Sequence, residues 1–158
     1  MSNVIKNSIA YSGSEQCGVP GKVYEDLNTD SSGNTTVRYY RMVKAGSAIA
    51  AGDLVGCVAA NIEEMHNTGQ VVPLATDDTV KSLIYGVCET AIASGEYGFA
   101  ICRGVCTIKA AASGSEGSVL ASYGSSGTAG QMAGAGHVDT KALGFLLESS
   151  TSAYINVL

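Results

Sequence analysis

The sequence is poor in basic residues, and it contains no tryptophan and only two prolines. Its nine lysines and arginines are scattered singly and form no basic patch for a phosphate backbone, so we expect no nucleic-acid partner. No apolar run approaches the length of about 18 residues that a membrane helix needs, and the N-terminus lacks the apolar core of a signal peptide. We therefore expect no membrane segment and synthesis in a cytoplasm.

Residues suited to catalysis or metal binding are also scarce. The only two histidines, His66 and His137, stand alone in polar, turn-like surroundings, so no cysteine or serine has an evident base beside it. Glu63 and Glu64 are adjacent and point in different directions in either a strand or a helix. We expect no catalytic residue, no cofactor and no metal ion, and hence a protein that is not an enzyme.

Two of the five cysteines lie close together, in "YGFAICRGVCTI". Gly104 and the β-branched residues after it favour a strand, in which Cys102 and Cys106 share a face but lie roughly 13 Å apart, too far for a disulfide. The other cysteines, Cys17, Cys57 and Cys88, are isolated, and the odd total without framework spacing suits a reducing compartment. We predict that Cys88, Cys102 and Cys106 are unbridged thiols in the core.

The chain has 20 glycines, and they separate short apolar runs rich in β-branched and aromatic residues. These runs are "TTVRYYRMV", "DLVGCVAA", "QVVPLA", "SLIYGVCE", "YGFAICRGVCTI", "SVLAS", "ALGFLLES" and "AYINVL". They predict an all-β fold, a compact sandwich or barrel of about eight short strands. At most one short helix is expected, starting near Thr76.

Two sequence patterns recur within these runs. A small-residue linker, a glycine with an acidic or serine neighbour, and an apolar strand follow each other at 45–58, 89–102 and 109–122, which indicates one turn used three times. A lysine precedes an apolar strand interrupted by glycine at Gly86 and again at Gly144, which suggests a β-bulge or a close approach of two backbones. The alternative is that both patterns are ordinary turn signals between the strands of hairpins.

Residues 1–34 differ from the remainder because serine, glycine, asparagine and acidic residues dominate and no apolar period is visible. We predict an N-terminal arm or long loop over 1–34 and a β-rich body over 35–158. The alternative is that 1–34 supplies the first strands and turns of the same domain.

The segment "VRYYRMV", residues 37–43, is the strongest candidate for a contact surface. Strand alternation places Val37, Tyr39 and Arg41 on one face and the intervening residues on the other, and tyrosine, methionine and arginine are enriched at interfaces. The alternative is a half-buried edge strand whose arginines extend to solvent. With the apolar anchors of the arm, the candidate contact residues are Ile5, Ile9, Tyr11, Tyr24, Arg38, Tyr39, Tyr40, Arg41 and Met42.

The order of "AAGDLV", "LIYGVCETAIASGEYGFAICRGVCTIKAA", "GSVLAS" and "TKALGFLLESS" before "AYINVL" resembles the capsid decoration (cement) proteins of tailed bacteriophages, over roughly residues 43–158. The resemblance implies a virion protein that binds the outside of the assembled major capsid shell and stabilises it. It also implies a homo-oligomer, with a trimer favoured. The alternatives are another virion attachment module, such as a head fibre or tail-fibre base, and a ligand-binding β-barrel.

Overall fold

The computed structural model describes residues 11–16, 18–29, 32–58, 68–74, 82–109, 115–122, 132–134, 142–147 and 151–157. Over these residues the chain is all-β, as predicted, with ten strands, and Thr68 is the one residue among them in helical conformation. The strands are β1 (Val23–Thr29), β2 (Thr35–Ala45), β3 (Asp53–Val58), β4 (Gln70–Pro73), β5 (Ser82–Cys88), β6 (Tyr97–Thr107), β7 (Val119–Ser122), β8 (Met132–Gly134), β9 (Ala142–Leu146) and β10 (Ser152–Asn156). All eight predicted strands are present, and β1 and β8 are additional. The helix expected near Thr76 lies outside the described residues.

Five of these strands close into a ring. β2 pairs with β4 in parallel, and antiparallel pairs then lead from β4 to β3, from β3 to β5, from β5 to β6 and from β6 back to β2. Closure of a sheet removes its edges, and a ring this small is filled by its own side chains. Of the two predicted forms, sandwich and barrel, these pairings therefore describe a barrel.

The two longest strands extend beyond the ring and hold the remaining strands. The first half of β2 pairs with β1 over seven residue pairs, from Val23 opposite Arg41 to Thr29 opposite Thr35. The second half of β6 pairs with β10, which is followed in the sheet by β9, β7 and β8. The β1–β2 hairpin crosses the boundary that we predicted at residue 34, so the described end of the predicted arm is hydrogen-bonded to the body.

Apolar side chains are buried on both faces of the ring strands. Within the described residues a larger cluster combines ring residues such as Tyr40, Met42 and Ile101 with Leu120 and Ile155 from the extension. A smaller cluster draws only on the ring strands and on the bridged pair Ile49 and Ile92, and includes Val43, Val55, Val71, Tyr85 and Ala100. β2 contributes to both clusters because its successive side chains point to opposite faces.

The thrice-repeated turn predicted from the sequence is present. In 50–53, 93–96 and 115–118 the fourth residue donates its N–H to the carbonyl of the first, at 3.2, 3.0 and 2.9 Å. The third residue is glycine each time, Gly52, Gly95 and Gly117, with φ of 83°, 84° and 80°. A positive φ at this position is the requirement of a type II turn, which explains the recurring glycine.

The predicted bulges at Gly86 and Gly144 are also present. In β5, Gly86 and Ile84 pair with two consecutive residues of β3. In β9, Gly144 and Ala142 pair with two consecutive residues of β7. In both strands the residue before the glycine is the extra one. The two similar stretches of sequence thus form the same local structure.

Candidate functional site

The arm residues predicted to contact a partner fall into two groups. Ile5 and Ile9 lie outside the described residues. Tyr11 and Tyr24 are half-buried and pack against the larger hydrophobic cluster. Tyr11 also has its hydroxyl within 2.8 Å of the Glu15 carbonyl oxygen, to which it donates a hydrogen bond. These two rings therefore belong to the sheet surface of the same molecule, where they hold the chain that leads into β1.

The five contact residues predicted on β2 alternate in burial. Arg38, Tyr39 and Arg41 are half-buried, whereas Tyr40 and Met42 are only 1% and 0% exposed. Tyr40 and Met42 belong to the larger cluster, so their side chains cannot reach a partner in this conformation. We withdraw these two residues from the predicted contact set, because the sheet that covers this face of β2 is formed by strands distant in sequence.

Arginine and lysine side chains lie over tyrosine rings along these strands. Among the described residues, five such pairs have the cation 5.0–5.8 Å from the ring centroid. The pairs are Lys22–Tyr24, Arg38–Tyr40, Arg41–Tyr85, Lys44–Tyr97 and Arg103–Tyr39. Each is worth about 0.5–1 kcal/mol where exposed. The tyrosine and arginine content of "VRYYRMV" thus serves in part to order the strand's own surroundings.

One exposed sheet surface, which we call the outer face, crosses six strands in the order β1, β2, β6, β10, β9 and β7. Cross-strand pairing places Glu25, Tyr39 and Arg103 in one row. A parallel apolar row contains Leu27 opposite Val37 on β1 and β2, and Val105, Tyr154, Phe145 and Val119 on the other four strands. Directly paired residues on one face lie about 4.5–5.5 Å apart, so each half of this row is continuous.

Aromatic residues dominate the second half of the outer face. Phe145 and Tyr154 stack with ring centroids 5.3 Å apart, and the Nε of Arg103 donates to the Tyr154 hydroxyl at 3.4 Å. Phe145 and Val119 remain 45% and 46% exposed. None of these residues was among the predicted contacts. The signal that could have revealed them is the outward position of Tyr154 in "AYINVL", which alternates with the apolar Ala153 and Ile155.

A cleft of about 300 Å³ opens where β2 and β6 part, beyond the last pair of their ladder, Tyr39 opposite Arg103. Arg38 and Glu89 form an ion pair in it, with 3.3 Å between Nη1 and Oε2. The other carboxylate oxygen of Glu89 accepts the backbone N–H of Thr107 at 2.8 Å. Glu89 therefore takes the place of a strand partner for Thr107 and is fixed from two sides.

The described cysteines, Cys57, Cys88, Cys102 and Cys106, are buried, and Cys88, Cys102 and Cys106 are free thiols. Cys102 and Cys106 both lie in β6, which confirms the predicted strand; Cys106 has exposed residues on both sides, whereas Cys102 follows the buried Ile101. Burial raises the pKa of Cys106 to about 12, and the nearby Glu89 carboxylate acts in the same direction. Burial likewise raises the pKa values of Cys88 and Cys102. Cys88, Cys102 and Cys106 therefore stay protonated at neutral pH and pack as small apolar groups. Cys17 lies outside the described residues.

Comparisons with known proteins give no relative: no family model, curated protein or solved structure matches the chain. In the described ranges no three histidine, cysteine, aspartate or glutamate residues are grouped as metal ligands, and His66 and His137 lie outside those ranges. The part of the chain that the structure describes contains no helix long and apolar enough to cross a membrane.

Proposed function

We propose that the protein is a phage head decoration protein, which binds the outside of the assembled major capsid shell and stabilises it. The observation that supports this proposal best is the outer face, an exposed surface of aromatic and aliphatic residues on hydrogen-bonded strands of the ring and its extension. Rigid aromatic residues beside arginine are the groups that contribute most to protein interfaces.

The outer face suits a protein partner that is fixed in position and repeated. Phe145, Tyr154 and Val119 offer apolar contact area on three neighbouring strands, and Arg103 offers a charge beside them. Little conformational entropy is lost when such a surface binds, because the stacked rings and the ladder already order it. Binding to the assembled shell alone shifts the assembly equilibrium towards it, which is how a decoration protein stabilises a capsid.

The proposal retains the trimer and the contribution of the N-terminal arm as predictions from the sequence. Closed symmetric oligomers are the usual state of self-associating proteins, and a trimer matches the three-fold positions of an icosahedral shell. Location on the capsid surface of the virion follows from the same proposal.

The experiment is co-sedimentation of the purified protein with empty, expanded heads of its phage. We expect saturable binding by the unchanged protein and binding about tenfold or more weaker for Phe145→Ser and for Val119→Ser, because both remove apolar contact area. Leu83→Ser is the matched control, because Leu83 is 46% exposed on β5, away from the outer face. Failure of the unchanged protein to bind heads would disprove the decoration function. Equal binding by all three variants would show that the outer face is not the contact.

Binding to tail or fibre components with no binding to heads would favour the alternative virion attachment module. The same variants apply there, because the outer face is the proposed contact in both cases. Circular dichroism and thermal unfolding of each variant separate a lost contact from a lost fold.

A further inference from the structure

The cleft between β2 and β6 has a polar lining unlike the apolar outer face next to it. Six of the eight side chains that line it bear hydroxyl, amide, carboxylate or guanidinium groups. These are Asn34, Thr36, Arg38, Glu89, Thr107 and Ser152. Together they offer both donors and acceptors within a volume at the lower end of the range for small-ligand sites.

The two charges of the cleft compensate each other. Arg38 and Glu89 are paired at 3.3 Å, and their side chains are only 18% and 28% exposed. An anion would meet the Glu89 carboxylate and a cation the Arg38 guanidinium, so an ionic ligand gains little here. A neutral ligand with several hydroxyl groups suits the pair better, because each hydroxyl can donate to the carboxylate or accept from the guanidinium.

The cleft is also ordered before any ligand binds. Glu89 is held by Arg38 and by the N–H of Thr107, and the Arg38 guanidinium lies over the Tyr40 ring at 5.5 Å. Thr107 and Ser152 are directly opposite each other on β6 and β10. Side chains fixed in this way lose little freedom on binding, which favours recognition of a small polar molecule.

An apolar surface continues from the mouth of the cleft. Val105 lines the cleft and also belongs to the outer face, where its cross-strand neighbour is Tyr154. The Tyr154 ring is stacked on Phe145. The faces of aromatic rings are electron-rich and apolar, so they can cover the C–H face of a second ring that extends from the cleft.

We propose that the cleft is a saccharide-binding site, in which one neutral sugar unit hydrogen-bonds to Arg38 and Glu89. Thr107 and Ser152 contact the same unit, and a second unit packs on Tyr154 and Phe145. The second sugar unit shares Tyr154 and Phe145 with the shell contact proposed above, whereas Arg38, Glu89, Thr107 and Ser152 belong to the sugar site alone. Each kind of binding can be measured in the absence of the other partner.

The test is a titration of the ¹⁵N-labelled protein with neutral methyl glycosides of glucose, galactose and N-acetylglucosamine, followed by amide chemical shifts. We expect saturable shifts at Glu89, Thr107 and Ser152 for at least one glycoside. A β-linked disaccharide of that sugar is expected to add shifts at Tyr154 and Phe145 and to bind more tightly. Phosphate, acetate and triglycine are the competing probes, for an anion site and a peptide site.

Two variants locate the binding. Glu89→Gln and Ser152→Ala are each expected to weaken binding of the responding glycoside by about tenfold. Glu89→Gln replaces one charged acceptor oxygen by an NH2 donor, and Ser152→Ala removes a hydroxyl. Glu116→Gln and Ser47→Ala are matched controls, because both residues are exposed and neither lines the cleft. If Glu89→Gln fails to fold, Ser152→Ala with its control decides. The proposal is overturned if none of the glycosides gives saturable shifts, if the cleft variants bind as the controls do, or if only phosphate, acetate or triglycine binds.

Discussion

Asp53 is the charged residue of the described core, and it holds two parts of the chain together. It is 3% exposed, its Oδ1 accepts from Lys109 Nζ at 2.6 Å, and its Oδ2 accepts the N–H of Ala50 at 2.8 Å. Lys109 follows β6, and its own N–H donates to the Gly52 carbonyl at 2.8 Å. The side chain of Asp53 thus closes the 50–53 turn and ties it to the end of β6.

We expect Asp53→Ala to lower the free energy of unfolding by about 2–4 kcal/mol, because it leaves the Ala50 N–H without this acceptor and removes one charged partner of Lys109. Asp53→Asn keeps one acceptor oxygen and is expected to cost less. Urea unfolding followed by circular dichroism measures both. Glu116→Ala, at an exposed carboxylate, is the control and is expected to change stability by no more than about 0.5 kcal/mol. A loss for Asp53→Ala as small as that of the control would contradict this role.

At the scale of strands, Gly144 allows β9 and β10 to approach closely. A Cβ placed on Gly144 would lie 1.8 Å from the Tyr154 carbonyl oxygen and 2.8 Å from the Ile155 Cα. Both neighbours are backbone atoms, so the strands themselves would have to separate. We expect Gly144→Ala to destabilise the fold by about 2–3 kcal/mol, the upper range for overpacking.

Gly95→Ala is the control for Gly144→Ala. Gly95 also has a positive φ, 84°, but a methyl group there would have no atom within 4 Å. Gly95→Ala therefore reports the cost of the backbone conformation alone, about 1 kcal/mol. Thermal unfolding of the two variants side by side tests the close approach, and equal losses would speak against it.

Strands and turns could be predicted from the sequence because the patterns that specify them are local. Gly86 and Gly144 interrupt similar apolar runs, and Gly52, Gly95 and Gly117 mark one turn type, so the local backbone could be inferred without knowing any partner strand. The closure of the ring could not be inferred. It depends on β2 pairing with β4 in parallel and with β6 on its other side, and no periodicity within β2 encodes the identity of a distant partner.

The same limitation explains why the contact surface was only partly predicted. Tyr40 and Met42 looked exposed on one side of a strand, but residues of β7, β9 and β10 belong to the cluster that buries them. Phe145 and Tyr154 were not among the predicted contacts, but their register in the extension places them on the exposed outer face. Whether an aromatic residue in a strand is buried or exposed depends on the pairing of the whole sheet.

At the scale of the whole molecule, the buried thiols cause the free energy of unfolding to fall as the pH rises above 9. The ordinary thiol pKa is 9.0, and burial raises that of Cys106 to about 12 in the folded protein. Below pH 9 both states keep the proton, so the contribution of this thiol to stability is fully present. Between pH 9 and 12 the unfolded chain releases the proton while the folded chain holds it, so stability falls by about 1.4 kcal/mol per pH unit for each such thiol.

Urea unfolding at about pH 8, 9 and 10 measures this dependence, with Cys106→Ala as the comparison. Above pH 9 the variant is expected to lose less stability than the unchanged protein. The difference is about 1.4 kcal/mol per pH unit, the contribution of one thiol. Other titrating groups are common to both proteins and cancel in the difference. Parallel pH profiles would show that Cys106 ionises alike in the folded and unfolded chains.

The closure of the ring through β2 and β6 has a consequence for synthesis. Thr107, the last residue of β6, is 62 residues after Ala45, the last residue of β2. A ribosome that adds about 5–20 residues per second needs about 3–12 s to make this interval. During that time the nascent chain has β1 beside β2 but no β6 to cover the other edge. Ring closure is therefore a late, long-range step of co-translational folding, and until then the unpaired edge of β2 is open to other nascent chains.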